Sequence, residues 1–232
     1  MQKQLSLTLL FLLTCLPVTS WAGSFVVAPE VPDSVAATDS VETRTLVRFE
    51  TTSGNFTIAL FNDTPIHRDN FIKLVNEQFY DSLLFHRTIW EFMSQTGDPT
   101  SKTAKPGEKL GEGSVGYTLP AEIQYPKYFH RRGMVAAARE GDKENPEWRS
   151  DGSQFYIVHD ENACLHLDGQ YSIFGEVIDG LNIIDKIAIV PTDMYDRPYE
   201  DVIIKTIKPV IVEPEVPEVA DTTMVADTTK TE

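Results

Sequence analysis

Leu46-Val47-Arg48-Phe49-Glu50-Thr51 and Asn55-Phe56-Thr57-Ile58-Ala59-Leu60 alternate apolar and polar residues around Ser53-Gly54, which predicts a β-hairpin. The same style recurs along the chain and constrains the fold more than any other feature. Phe85 to Gln95 predicts two short strands with a tight connection, the second ended by Gly97-Asp98-Pro99. Tyr117 to Gln124 is a short extended piece before a turn at Tyr125-Pro126. Gly133 to Arg139, Ser153 to Val158, Tyr171 to Val177 and Val202 to Ile207 complete the set. About eight strands, mostly linked by short turns, predict a mainly β protein built as a closed eight-stranded antiparallel barrel.

Helical spacing is confined to two places. Thr64-Pro65 offers an N-cap and a proline at the first helical position, and Phe71, Leu74 and Val75 follow as an apolar stripe. Leu181, Ile184, Asp185 and Ala188 suit a second helix. The two helices are expected to cap the barrel's open ends. Residues 99–116, with four glycines and two prolines, predict a long loop; 140–152, which contains Trp148, predicts a polar one.

The termini differ in style. Lys3, the run from Leu5 to Leu16 and Ser20-Trp21-Ala22 predict a signal peptide over 1–22, with export to the periplasm or cell envelope. A lipid anchor at Cys15 is the alternative. Residues 23–43 predict a flexible acidic spacer and 209–232 a disordered acidic tail, leaving a folded domain over 44–208. Residues 23–43 and 211–232 carry ten acidic residues against one Lys, out of a net charge of -15 for the 232-residue chain. So acidic a balance argues against nucleic acid as a partner. No run after the leader approaches the ~18 apolar residues of a membrane span. Cys15 and Cys164 are the two cysteines, so a mature chain lacking the leader keeps one thiol. The five histidines are scattered without metal-ligand spacing, and no Ser sits in a nucleophile-elbow pattern.

Chemistry concentrates in Phe85 to Asp98. At period two, Phe85, Arg87 and Ile89 share a face. Phe92 and Met93 bring apolar bulk to that Arg, with Gln95 beside them. This composition suits a ligand that is apolar on one side and amide-like on the other. Gln154, Tyr156 and Val158 share one face of their strand against Phe155 and Ile157, and carboxamides such as Gln95 and Gln154 need partners if buried. The small residues of Gly133 to Ala138 allow close approach to the backbone.

Five segments together resemble the cyclophilin family of peptidyl-prolyl cis–trans isomerases, over about residues 44–208. They are Phe85-His86-Arg87, Phe92 to Asp98, Gly133 to Ala138, Gly152-Ser153-Gln154-Phe155-Tyr156-Ile157, and Leu167-Asp168-Gly169 with Phe174-Gly175-Glu176-Val177. The resemblance implies an eight-stranded barrel with two helices, prolyl isomerase activity without metal or cofactor, and Arg87 as the catalytic residue. Phe92, Met93 and Gln95 match the proline pocket and its rim. Leu167 matches the pocket leucine, and Tyr156 stands at the floor where Phe is usual. Ala138 matches the residue whose backbone lines the groove, Arg139 replaces an Asn beside it, and Gln154 matches the groove glutamine. His166 stands where many members carry a Trp tied to cyclosporin, so weak cyclosporin binding is expected. Tyr171 stands where eukaryotic members have His and bacterial members often Tyr. The implied partners are proline-containing polypeptides, met by a monomer that helps exported proteins fold. The alternative is a proline-segment binding module or chaperone with little turnover.

Overall fold

The computed structural model describes residues 43–210. The leader, its Cys15, residues 23–42 and residues 211–232 lie outside the described residues. Strands β1 (Leu46–Thr51) and β2 (Asn55–Leu60) form the expected hairpin, with Phe49 opposite Phe56. Their rings stack with centroids 4.4 Å apart. Helix α1 (Pro65–Asn76) follows and buries Phe71, Leu74 and Val75. Thr64 holds the N-cap position, yet its side chain makes no cap bond. Proline has no N–H to satisfy, so the first orphan donors belong to Ile66 and His67. Both donate to the Glu122 carboxylate, at 3.0 and 2.9 Å.

Next come β3 (Arg87–Ile89), β4 (Met93–Thr96), β5 (Thr118–Leu119), β6 (Met134–Ala137), β7 (Ser150–Asp151) and β8 (Phe155–Val158). A one-turn helix α2 (Glu161–Cys164), β9 (Ile173–Asp179), α3 (Leu181–Ala188) and β10 (Ile204–Val210) complete the order. Strand β10 therefore runs two residues into the segment expected as tail. Helix α3 buries Ile183, Ile184, Ile187 and Ala188. Asp185, one of the residues that suit this helix, faces solvent and pairs with Arg132 at 2.7 Å.

Eight strands form one antiparallel sheet in the order β10-β1-β2-β9-β6-β8-β4-β3, and β5 pairs with β7 separately. The sheet is an open, curled half-barrel with three α-helices, which corrects the expectation of a closed barrel with two. Closure needs the end strands to pair along their lengths, and β3 is only three residues long. The main-chain N–H of Thr88 in β3 donates instead to a loop, at the carbonyl of Asp196 (2.8 Å). The seam is bridged just before β3, where Leu84 pairs with Ile203. There Phe85 donates to Val202 and Ile204 to Leu83.

Two apolar clusters lie on opposite faces of this sheet. The larger contains Phe49, Phe56, Phe71, Phe155, Phe174 and Ile184. The smaller contains Met93, Met134, Tyr156, Val158, Cys164 and Ile173, with Phe92, Leu167 and Tyr171 packed half-buried against it. The expected shared face of Phe85, Arg87 and Ile89 is not found. Phe85 is buried in the larger cluster and Ile89 packs on the smaller, because regular extended structure starts only at Arg87. No helix among the described residues is long and apolar enough to cross a membrane.

Candidate active site

Strand register assembles the site. Arg87 lies opposite Gln95, Gln95 opposite Tyr156, and Tyr156 opposite Ala136. Residues paired across adjacent strands share a face, so Arg87, Gln95 and Tyr156 form one row. Ile89 and Met93 pair one step along the same face. The β3–β4 turn carries Glu91 at φ 56° and closes with Phe92 N–H on the Ile89 carbonyl at 3.1 Å. It leaves Phe92 at the edge of a cavity of about 150 Å³.

Nine of the eleven residues expected at the site line that cavity: Arg87, Phe92, Met93, Gln95, Ala138, Arg139, Tyr156, Leu167 and Tyr171. Gln154 lies one step away, where its Oε1 accepts from Gln95 Nε2 at 2.8 Å. Its own amide donates to the carbonyls of Gly111 and Gly113 (3.1 and 2.7 Å), so both carboxamides are partnered. His166 is exposed and stacks on Phe92, ring centroids 5.9 Å apart.

The two arginines differ. Arg139 donates to the carbonyls of Gln170 and Glu140, pairs with Asp142 at 2.7 Å and covers the Tyr171 ring at 4.5 Å. Its Nε and Nη1 are held by the groove wall. Arg87 makes one contact among the described residues, Nε to Asp196 Oδ2 at 3.4 Å, and is 41% exposed. Its Nη edge remains available to a ligand. Asp196 was missed by sequence reasoning. It sits at φ 63° in a loop fixed by the Asp193 side chain, which accepts from Tyr195 and Arg197 N–H. Nothing local in its sequence points to a partner 109 positions away.

Beneath the floor lies a second unforeseen arrangement. Asp168 accepts from the backbone N–H of His130 and contacts its Nδ1 at 2.7 Å; Nε2 meets the Tyr156 hydroxyl at 2.8 Å. With Nδ1–H donating to the carboxylate, Nε2 accepts and Tyr156 donates. Burial lowers the His130 pKa despite the pull of Asp168, and burial also raises Tyr156 well above 10. The chain is neutral at the histidine, and the hydroxyl is held away from the slot. Cys164 is buried, its thiol pushed up to about 12 by burial. Among the described residues no group of three or more His, Cys, Asp or Glu could hold a metal.

Residues 46–209 match the family model described as cyclophilin type peptidyl-prolyl cis-trans isomerase/CLD. A peptidyl-prolyl cis-trans isomerase-like 2 of Rhizopus delemar is 36% identical over 72% of this chain, although the match spans 29% of that protein. A peptidyl-prolyl cis-trans isomerase-like 3 of Dictyostelium discoideum is 30% identical over 69% of this chain and 92% of its own length. A crystal structure of a Cryptosporidium parvum cyclophilin type peptidyl-prolyl cis-trans isomerase, obtained in the presence of the dipeptide Ala-Pro, aligns with a TM-score of 0.60. It is 32% identical and covers 72% of this chain and 99% of that one.

Proposed function

We propose that this chain, which belongs to the cyclophilin-type peptidyl-prolyl cis–trans isomerase family and is an isomerase of that type, accelerates X–Pro rotation by donation from Arg87 to the prolyl nitrogen. The observation that carries this mechanism is the unspent Nη edge of Arg87 beside an unfilled apolar slot.

Amide resonance sets a rotation barrier of ~18–20 kcal/mol. The two X–Pro isomers lie close in energy, so the barrier is the whole problem. As the bond twists, the prolyl nitrogen becomes pyramidal and gains a lone pair. A cation donating to that lone pair stabilises the twisted state more than the planar one. Arg suits the task because its charge is permanent and its donors lie in one plane. One charged hydrogen bond contributes roughly 1.5–3 kcal/mol, or about one to two factors of ten in rate. Phe92, Met93, Tyr156 and Leu167 would hold the pyrrolidine ring, and Gln95 the carbonyl side. Backbone at Ala138 and Arg139 would hold the flanking chain, so that rotation occurs about a clamped end.

Arg87→Ala is expected to lower kcat/KM at least tenfold with an unchanged circular dichroism spectrum. Unchanged turnover in a folded variant would defeat the mechanism. The alternative of a binding module with little turnover is separated by NMR exchange spectroscopy on a short Ala-Pro-Phe peptide: binding without catalysed exchange would select it. We also propose that the substrates are exported polypeptides, on the strength of the charged start, apolar run and small-residue cleavage site within residues 1–22. Mass spectrometry of the mature N-terminus tests this. A terminus at Gly23 gives a soluble protein, an acylated Cys15 an anchored one, and an intact Met1 refutes export.

A further inference from the structure

A second cavity, of about 350 Å³, lies between the β3–β4 turn and the C-terminal end of α3. Trp90, His159, Ala188 and Ile189 wall it, with Lys186 and the carboxylates of Glu91, Asp160 and Asp185 at its polar side, and none of them lines the proline slot. Trp90 and Ile189 are each 60% exposed. Large apolar side chains left in water around one concavity mark a place where something docks. Trp is also a residue type that dominates interface energies. His159 supplies a polar element: its Nε2 is taken by Ser94 at 2.8 Å, whereas Nδ1 has no partner among the described residues. A buried ring nitrogen of that kind gains a bond if a polar atom arrives with an apolar group.

Continuity with the slot identifies the occupant. The main-chain N–H of His159 donates to the carbonyl of Phe92 at 2.9 Å, and Phe92 is a wall of the slot. Trp90 and Phe92, two residues apart in the same turn, thus wall the two cavities on either side of it. At ~3.3 Å per residue, an extended chain leaving the slot passes over the Trp90 rim within about three to five residues. We infer that the second cavity is a subsite for the same polypeptide whose proline enters the slot, and that it takes an apolar or aromatic side chain. Unfolded chains are then held at two points, and short peptides at one. This subsite rests on the isomerase assignment of the slot.

The test compares kcat/KM for Ala-Ala-Pro-Ala with that of peptides of about twelve residues. In these a single Phe is walked along both sides of the proline. Phe at a favoured spacing is expected to raise kcat/KM about tenfold through KM, as burial of one large apolar side chain allows. Trp90→Ala should abolish the gain and leave the short peptide within about twofold. The inference is overturned if no spacing gives a gain, or if Trp90→Ala lowers short and long peptides alike. It is equally overturned if Trp90→Ala changes only the sedimentation of the chain, which would make the cavity a contact between copies. Should the unaltered chain fail to turn over Ala-Ala-Pro-Ala, the isomerase assignment falls. Calorimetric binding of the walked peptides then still decides the subsite: a spacing-dependent Kd lost in Trp90→Ala supports it, and a flat Kd overturns it.

Discussion

Strands β6 and β8 each serve two masters. Their residues Val135, Ala137, Phe155 and Ile157 enter the larger cluster, while Met134, Ala136, Tyr156 and Val158 enter the smaller. The first face is completed by the protein itself. Helix α1 brings Phe71, whose ring meets Phe155 edge-on at 5.4 Å, and α3 adds Ile184 and Ile187. The second face is left unfinished: Phe92, Leu167 and Tyr171 are only half-buried, and the buried His130 bonds the Tyr156 hydroxyl from beneath. A sheet closed by its own helices on one side stores stability. On the other side it leaves a cavity open between Phe92, Leu167 and Tyr171.

The contrast is broken most forcefully from the closed side. Phe155→Ala is expected to cost about 3–5 kcal/mol in urea unfolding, while kcat/KM of the remaining folded protein stays within about twofold. A variant that lost turnover in proportion to stability would show that the two faces are not separable. Acid should instead strike the buried histidines. Burial lowers His159 to about 4 and His86 to about 4, against about 6.5 for the unfolded chain. The folded forms are therefore neutral where the unfolded chain takes up protons. The contribution of these two histidines is complete above about pH 6.5 and is lost as pH drops toward 4, each on the order of 3 kcal/mol. His159→Gln should remove about one proton from the slope of unfolding free energy between these limits. An unchanged slope would exclude His159 as a source.

How much of this contrast was legible in the sequence depends on how local its causes are. Alternation in Ser153 to Val158 separated Tyr156 from Phe155 correctly, because a strand's period is fixed by its own backbone. The stripe of α1 was legible for the same reason. Phe85 was placed on the wrong face because the chain becomes regular only at Arg87, and that depends on the distant Val202–Ile204. The open seam escaped notice because strand counting does not reveal that the partner edge of β3 belongs to a loop. Glu122 at the start of α1 and Asp168 beneath Tyr156 were equally hidden, each acting across 38 residues or more.

A smaller effect sharpens the contrast at the floor of the slot. Tyr156→Phe keeps the ring in the slot but leaves His130 Nε2 buried without its donor. Loss of about 1–3 kcal/mol in unfolding free energy is expected, with kcat/KM changed less than about threefold. If the rate falls further while stability holds, the hydroxyl acts on the ligand and not on the floor.

The smallest effect concerns the aim of the guanidinium. Arg87 and Asp196 are 3.4 Å apart and both 41% exposed, so their pairing contributes little to stability, about 0–1 kcal/mol. Asp196→Ala should lower the melting temperature by no more than about 4 °C. Its consequence is orientational: without the tether on Nε, the Nη edge spends part of its time turned from the slot. A loss of at most about 1 kcal/mol in transition-state stabilisation corresponds to a two- to fivefold lower kcat. The Kd of a non-isomerising proline peptide should not change, because the slot walls are intact. Asp196→Asn keeps an oxygen that accepts from Nε and should recover most of the rate. If Asn and Ala behave alike, the carboxylate acts through its charge. A rise in Kd matching the fall in rate would move Asp196 from aiming the arginine to shaping the slot.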